Sequence, residues 1–136
     1  CLPAKAAGLS FIRLVTPTSD EIRLPTVLAE ASGFVYYVSV TGITGTKSAA
    51  GASISDAYKR IKNVTDLPVV TGFGIRTPDA AAEASSLSDG AVVGSAVIDI
   101  IADNFSADGS GNDDMVQKIA AFVGELAHGV AAGKGS

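Results

Sequence analysis

Four short apolar runs, partly β-branched, occupy residues 11–15, 35–40, 68–72 and 91–94, with starts 24, 33 and 23 residues apart. That spacing matches the length of a strand–helix–strand unit, so the chain reads as a repeat of βα units. Each run is four to six residues long. Two of them lack polar alternation, which predicts parallel strands covered on both faces.

Helical patterns fill the intervals. Between residues 53 and 62, Ile54, Ala57, Tyr58 and Ile61 fall on one face. Thr77-Pro78-Asp79 is a helix start, with Thr77 as cap, Pro78 in the first helical position and Asp79 at the positive end. The alanine-rich helix after it is expected to run through Ala84. Ser95 opens a short helix over residues 96–101. A last helix over residues 115–127 turns Met115, Ile119, Phe122, Val123 and Leu126 inward, and residues 129–136 read as a frayed tail. An early helix is expected over residues 19–31, its regular part starting at or near Pro25. Residues 104–112 read as a solvated loop. The order is therefore (α)βαβαβαβα, with right-handed crossovers and parallel strands. A small open sheet and part of a (β/α)8 barrel both satisfy it.

Composition narrows the class. Alanine and glycine supply 22 and 15 of the 136 residues and tryptophan none, which suits helices packed closely on a sheet. A hydrophobic fraction of 47% against 18% charged excludes a disordered chain. The formal charge of −4 argues against nucleic acid or an anionic membrane as partner. No apolar run approaches the ~20 residues that span a bilayer. The single cysteine, Cys1, leaves no internal disulfide, in keeping with a reducing compartment. The start shows no secretory leader and no initiator Met, which is read as a sign of cleavage or truncation at that end.

Glycines gather just after the second, third and fourth runs, in Thr41-Gly42-Ile43-Thr44-Gly45, Gly72-Phe73-Gly74 and Gly94-Ser95. Parallel sheets place ligands at these carboxyl ends. Glycine lets a backbone N–H approach a ligand unobstructed, and Gly94-Ser95 opens a helix whose N-terminus attracts anions. One such glycine is ordinarily a tight turn; three at consecutive strand ends point to a phosphate cup. Tyr36 and Tyr37 are neighbours on a strand and so face opposite ways, one toward the barrel interior or mouth and one toward the helices. Lys47 lies in a Gly/Thr/Ser/Ala-rich loop over residues 42–51 with the composition of a mobile lid. The only histidine, His128, falls near the end of the last helix as a surface residue. Without a second histidine or a cysteine cluster, a metal site is not expected. Ser39 and Ser95 have no histidine partner for a triad.

These motifs resemble one family. Residues 33–45 (Gly-Phe-Val-Tyr-Tyr-Val-Ser-Val-Thr-Gly-Ile-Thr-Gly) look like strand 6 and loop 6 of tryptophan synthase alpha subunits. Leu67-Pro68-Val69-Val70-Thr71-Gly72-Phe73-Gly74-Ile75 resembles strand 7 and its phosphate loop, and Ala91-Val92-Val93-Gly94-Ser95-Ala96 resembles strand 8 and the phosphate-binding helix start. Residues 11–20 resemble strand 5 and its turn. The likeness covers essentially the whole chain in unbroken order. It implies an α/β fold, the C-terminal half of a (β/α)8 TIM barrel, with residues 1–136 as strands 5–8 and their helices.

The resemblance also implies a role in tryptophan biosynthesis. The family cleaves indole-3-glycerol phosphate to indole and glyceraldehyde 3-phosphate by a retro-aldol reaction, without metal or organic cofactor. Its partner is a beta subunit, in an alpha2-beta2 complex, and pyridoxal phosphate belongs to that subunit. By position, Gly45, Gly72, Phe73, Gly74, Gly94 and Ser95 match the residues that hold the substrate phosphate. Tyr36 matches the tyrosine near the indole and glycerol moiety, Leu14 an indole-pocket position, and Thr44 the loop 6 threonine that closes over the site. The family's general acid/base glutamate on strand 1 and its indole-orienting aspartate on strand 2 have no counterpart, and Asp20, Glu21 and Glu30 lie in the wrong elements to replace them. No catalytic residue is therefore assigned, and the chain alone is expected to be inactive. The implied location is the cytoplasm, or the plastid stroma in a plant or alga. The alternative is a non-catalytic phosphate-binding (βα)4 half-barrel that dimerises through open strand edges.

Overall fold

A computed structural model describes residues 2–38, 47–72, 74–105, 110–111 and 114–135. Its elements run α1 (Leu2–Ala6), β1 (Arg13–Val15), α2 (Leu24–Leu28), β2 (Val35–Tyr37), α3 (Lys47–Lys62), β3 (Val69–Thr71), α4 (Pro78–Ser86), β4 (Gly90–Ala91), α5 (Ser95–Asp103) and α6 (Met115–Lys134). The four strands make one parallel sheet in the order β1-β2-β3-β4. In register, Leu14, Tyr36, Val70 and Gly90 lie side by side across it. The alternating α/β order expected from the spacing is the order observed.

One face of the sheet carries the core. Val15, Val35, Tyr37 and Val69 pack against Leu24 and Leu28 of α2 and Ala57 and Ile61 of α3. Burying each large apolar side chain of this group contributes about 1.5–3 kcal/mol. A second cluster joins Ile75, Ala81, Ala84 and Leu126, with Ala91, Val93 and Phe122 against it, under α4 and α6. The opposite face is open: Leu14 is 59% exposed and Ile12 40%. The expectation of strands covered on both faces is corrected here. Alternation is present in β2 and β3, and the helices α2, α3, α4 and α6 pack on one side only.

Helix ends follow local chemistry. The Thr77 hydroxyl accepts the Ala80 N–H at 3.2 Å, with Pro78 and Asp79 in the first turn, as that triplet predicts. The helix then runs to Ser86, slightly past Ala84. α2 begins at Leu24 beside Pro25 and stops at Leu28, three residues short of the expected end. Lys47 opens α3, so the proposed lid loop is already helical over residues 47–51, while residues 42–46 lie outside the described residues.

The largest departure is the C-terminus. Residues 129–134 are the last turns of α6 rather than a frayed tail. A Cβ on Gly129 would lie 2.2 Å from Pro78 O, and one on Gly133 2.2 Å from Ala82 O. Two glycines four residues apart thus let α6 lie directly on the α4 backbone. The Ser85 hydroxyl, 3.0 Å from Ala82 O and 3.1 Å from Val130 O, shares its proton between the two helices. Lys134 Nζ donates to Asp89 O, fastening the helix end to the start of β4. Val123 points away from this contact and is 47% exposed, contrary to the inward position expected of it.

Asp89 also gathers the amino end of β3 and the carboxyl-terminal part of α3. Its carboxylate accepts the Val69 N–H at 2.8 Å and the Tyr58 hydroxyl at 3.1 Å. Burial, and then the hydrogen bond to Asp89, raises the Tyr58 pKa; burial likewise raises that of Tyr37, which is 2% exposed. Among the described residues no helix is long and apolar enough to cross a membrane.

Two outcomes follow from these contacts. Gly129→Ala should destabilise the fold by about 1–3 kcal/mol, read by urea denaturation; an unchanged midpoint would show that α6 does not rest on α4. A raised tyrosine pKa stabilises the fold fully below the unfolded value of about 10 and ceases to do so as pH climbs through the folded value. Stability should therefore fall more steeply above about pH 10 in the wild type than in Tyr58→Phe. Parallel pH profiles for the two proteins would contradict this.

Candidate functional site

The carboxyl ends of β2, β3 and β4 converge because one residue has no side chain. Gly72, the residue after β3, is buried on the open face, and a Cβ there would lie 2.5 Å from Val92 O and 3.0 Å from Val92 Cβ. Any other residue would force β3 and β4 apart at this end. The Tyr36 hydroxyl donates to Gly72 O at 3.2 Å, tying β2 to the same point. Two residues on, Gly74 has φ +66°, a left-handed conformation that favours glycine. The chain turns there and returns through α4 to β4. After β4, Gly94 caps α5 with no side-chain hydrogen bond, and nothing stands within 4 Å of its would-be Cβ.

These groups line a half-open cavity of about 240 Å³. Val38, Ile75, Val92 and Val93 give it apolar walls, while Tyr36, Gly72, Gly74, Gly94 and Ser95 bring the polar groups. The first turn of α5 leaves backbone N–H groups without intrahelical partners, and the helix dipole adds partial positive charge there. Beside the cavity, Arg76 Nη1 donates to Asp99 Oδ2 at 2.7 Å, linking the loop after β3 to α5.

Of the residues singled out in the sequence, Tyr36, Gly72, Gly74, Gly94 and Ser95 are brought to this one cavity. Leu14 shares the open face with Tyr36, its partner in register, but does not line the cavity. Thr44, Gly45 and Phe73 lie outside the described residues, as does Ser39. Tyr36 and Tyr37 do face opposite ways, toward the cavity and the helix-side core respectively. The sequence reading passed over Val38, Ile75, Val92 and Val93. Strand parity could have found Val38, two residues beyond Tyr36 on the same face.

Elsewhere the chemistry is structural. His128 is exposed, with Nδ1 2.9 Å from Gly124 O one turn back along α6. Asp20 accepts the Arg23 N–H at 2.9 Å at the entry to α2. Glu30 pairs with Lys5, and that hydrogen bond holds its carboxyl below the ordinary value. Among the described residues no group of three or more His, Cys, Asp or Glu could hold a metal ion.

Comparison with known proteins agrees with the geometry. The profile of the family described as tryptophan synthase alpha chain matches residues 1–131. The structure is similar to tryptophan synthase subunit alpha from Campylobacter jejuni (29% identity, TM-score 0.74, covering 90% of this chain and 46% of that one). It is similar to tryptophan synthase from M. tuberculosis (32% identity, TM-score 0.70, 95% and 43%). A third likeness is to tryptophan synthase subunit alpha from Legionella pneumophila (28%, 0.72, 93% and 44%). The chain spans less than half the length of these relatives. With four parallel strands, helices on one face and a glycine-lined cavity at the carboxyl ends, it is α/β and has the form of half a barrel. The chain belongs to the tryptophan synthase alpha chain family.

Proposed function

We propose that this chain is the phosphate-holding half of a tryptophan synthase alpha barrel, serving the cleavage of indole-3-glycerol phosphate to indole and glyceraldehyde 3-phosphate in tryptophan biosynthesis. The cavity carries this reading: Gly72, Gly74, Gly94 and Ser95 meet in it at the carboxyl ends of β3 and β4. Backbone N–H groups of Gly74 and Ser95 grip the substrate phosphate, assisted by the α5 dipole. Tyr36, on the open face and anchored to Gly72 O, lies toward the glycerol and indole portion. Leu14 supplies an apolar surface further along that face. Phe73, Gly45 and Thr44 join the phosphate site and its closure on the strength of the family likeness alone.

Residues 1–136 are then the C-terminal half of the barrel, strands 5–8 with their helices. The proton-transfer glutamate and the indole-orienting aspartate come from strands 1 and 2 of the family's barrel. The acidic side chains of the first strand–helix unit offer no substitute: Glu30 is held ionised by Lys5, and Asp20 caps a turn. A general acid needs the opposite shift. The chain therefore binds and positions but does not transfer protons. No cofactor is assigned to it; pyridoxal phosphate belongs to the beta subunit, the proposed partner in an alpha2-beta2 assembly. A cytoplasmic or plastid location is part of the same proposal.

One observation favours a second reading. The open face exposes Leu14 and Ile12, and β1 and β4 are sheet edges, features of a surface that associates. A non-catalytic phosphate-binding half-barrel that pairs with its own kind would use them. A single sedimenting monomer at micromolar concentration would rule that out.

The proposal is tested by titrating the ¹⁵N-labelled chain with glyceraldehyde 3-phosphate and, in a separate assay, following indole release from indole-3-glycerol phosphate. The Gly74 and Ser95 amides should shift, no indole above background should appear, and Gly72→Ala should weaken binding at least tenfold by parting β3 from β4. Unshifted amides would contradict the phosphate reading, and indole production by the chain alone would contradict the assignment of proton transfer to the other half.

A further inference from the structure

We propose that Asp99 is an electrostatic brake on anion binding at the cup and that Arg76, paired with it, cancels that brake. The proposal rests on the phosphate reading above. Arg76 stands two residues beyond Gly74, and Asp99 four residues beyond Ser95, so each charge belongs to one of the two segments that form the cup. Positions four apart lie on the same helix face, and helical side chains lean toward the N-terminus. Asp99 therefore sits about 6 Å along α5 from Ser95 and inclines toward the anion site.

A carboxylate at that place opposes the very binding that the helix terminus favours. The helix carries no cation to offset it: α5 reads Ser-Ala-Val-Ile-Asp-Ile-Ile-Ala-Asp, with two acids and no base. The cation comes instead from the loop after β3, as Arg76 at 2.7 Å. Both side chains are more than half exposed, 57% and 53%. An exposed pair adds at most a little to stability; while intact its charges nearly cancel, and the cup feels a net charge only when one partner is lost.

The size follows from Coulomb's law. A unit charge about 10 Å from a dianion, in a medium as polar as water, changes the binding constant roughly fourfold before screening. The screening length is about 30 Å at 0.01 M salt and about 3 Å at 1 M, so the effect survives at low salt and vanishes at high salt.

This reading separates the two partners by sign. If the pair merely clasped the loop to the helix, losing either side chain would loosen the cup and weaken binding. If it balances charge, Arg76→Gln uncovers Asp99 and weakens binding, whereas Asp99→Asn frees Arg76 for the anion and strengthens it. The test is the dissociation constant of inorganic phosphate, in its dianionic form, from the Gly74 and Ser95 amide shifts of wild type, Arg76→Gln, Asp99→Asn and the double variant. At low salt we expect Arg76→Gln about threefold weaker, Asp99→Asn about threefold tighter, and the double variant close to wild type. All should converge at high salt. Melting curves check that every variant is folded. Weaker binding in Asp99→Asn, or unchanged constants across all folded variants at low salt, would overturn the proposal while leaving the cup intact. Wild-type amides that phosphate does not shift would overturn the cup and this proposal together.

Discussion

Everything at the functional end of this fold depends on how closely β3 and β4 approach. Gly72 stands where a methyl group would meet the Val92 carbonyl at 2.5 Å. With hydrogen there instead, the loop carrying Gly74 and the turn opening α5 come together around a single cavity. Tyr36 fixes the same point from β2 through its bond to the Gly72 carbonyl. The site is thus a property of sheet geometry first and of polar chemistry second. Backbone amides can converge on an anion only if the strands that deliver them pack without side chains between.

A second glycine contact secures the scaffold behind the site. Gly129 and Gly133 lay α6 on the backbone of α4, and Lys134 ties its end to Asp89. Asp89 in turn bonds Val69 at the amino end of β3 and Tyr58 in the carboxyl-terminal part of α3. The two ends of β3 and β4 therefore have different tasks. The amino ends are held by a dense polar knot, and the carboxyl ends are left open for a ligand, the division expected of parallel βα folds. The open face, with Leu14 and Ile12 exposed, lies on the side of the sheet away from the helices.

Much of this was legible in the chain. Alternation separated Tyr36 from Tyr37, and Thr77-Pro78-Asp79 marked the start of α4 to the residue. The glycines after the strands pointed to the cavity that five of the named residues share. Local signals failed where tertiary contact decides. Gly129 and Gly133 have poor helix propensity, and their role appears only once α4 lies beside them. Helical residues 47–51 were read as loop because their Gly, Ser and Ala content continues the Gly- and Thr-rich run before them. Val123 has the right spacing for an inward position, yet the buried line of α6 runs through Phe122, Leu126 and Gly129 and leaves it exposed. Val92 and Val93 were seen as strand, while their place as cavity walls depends on the closeness that Gly72 permits.

The central claim, that this chain holds the phosphate of a substrate whose proton transfers come from another half-barrel, is met most directly by complementation. The chain is mixed with the strand 1–4 segment of a tryptophan synthase alpha subunit, and indole release from indole-3-glycerol phosphate is followed. The account predicts indole from the mixture and from neither part alone, and none when the glutamate of strand 1 is replaced by glutamine. Indole from the chain by itself, or an associated, phosphate-binding mixture that makes none, would contradict it.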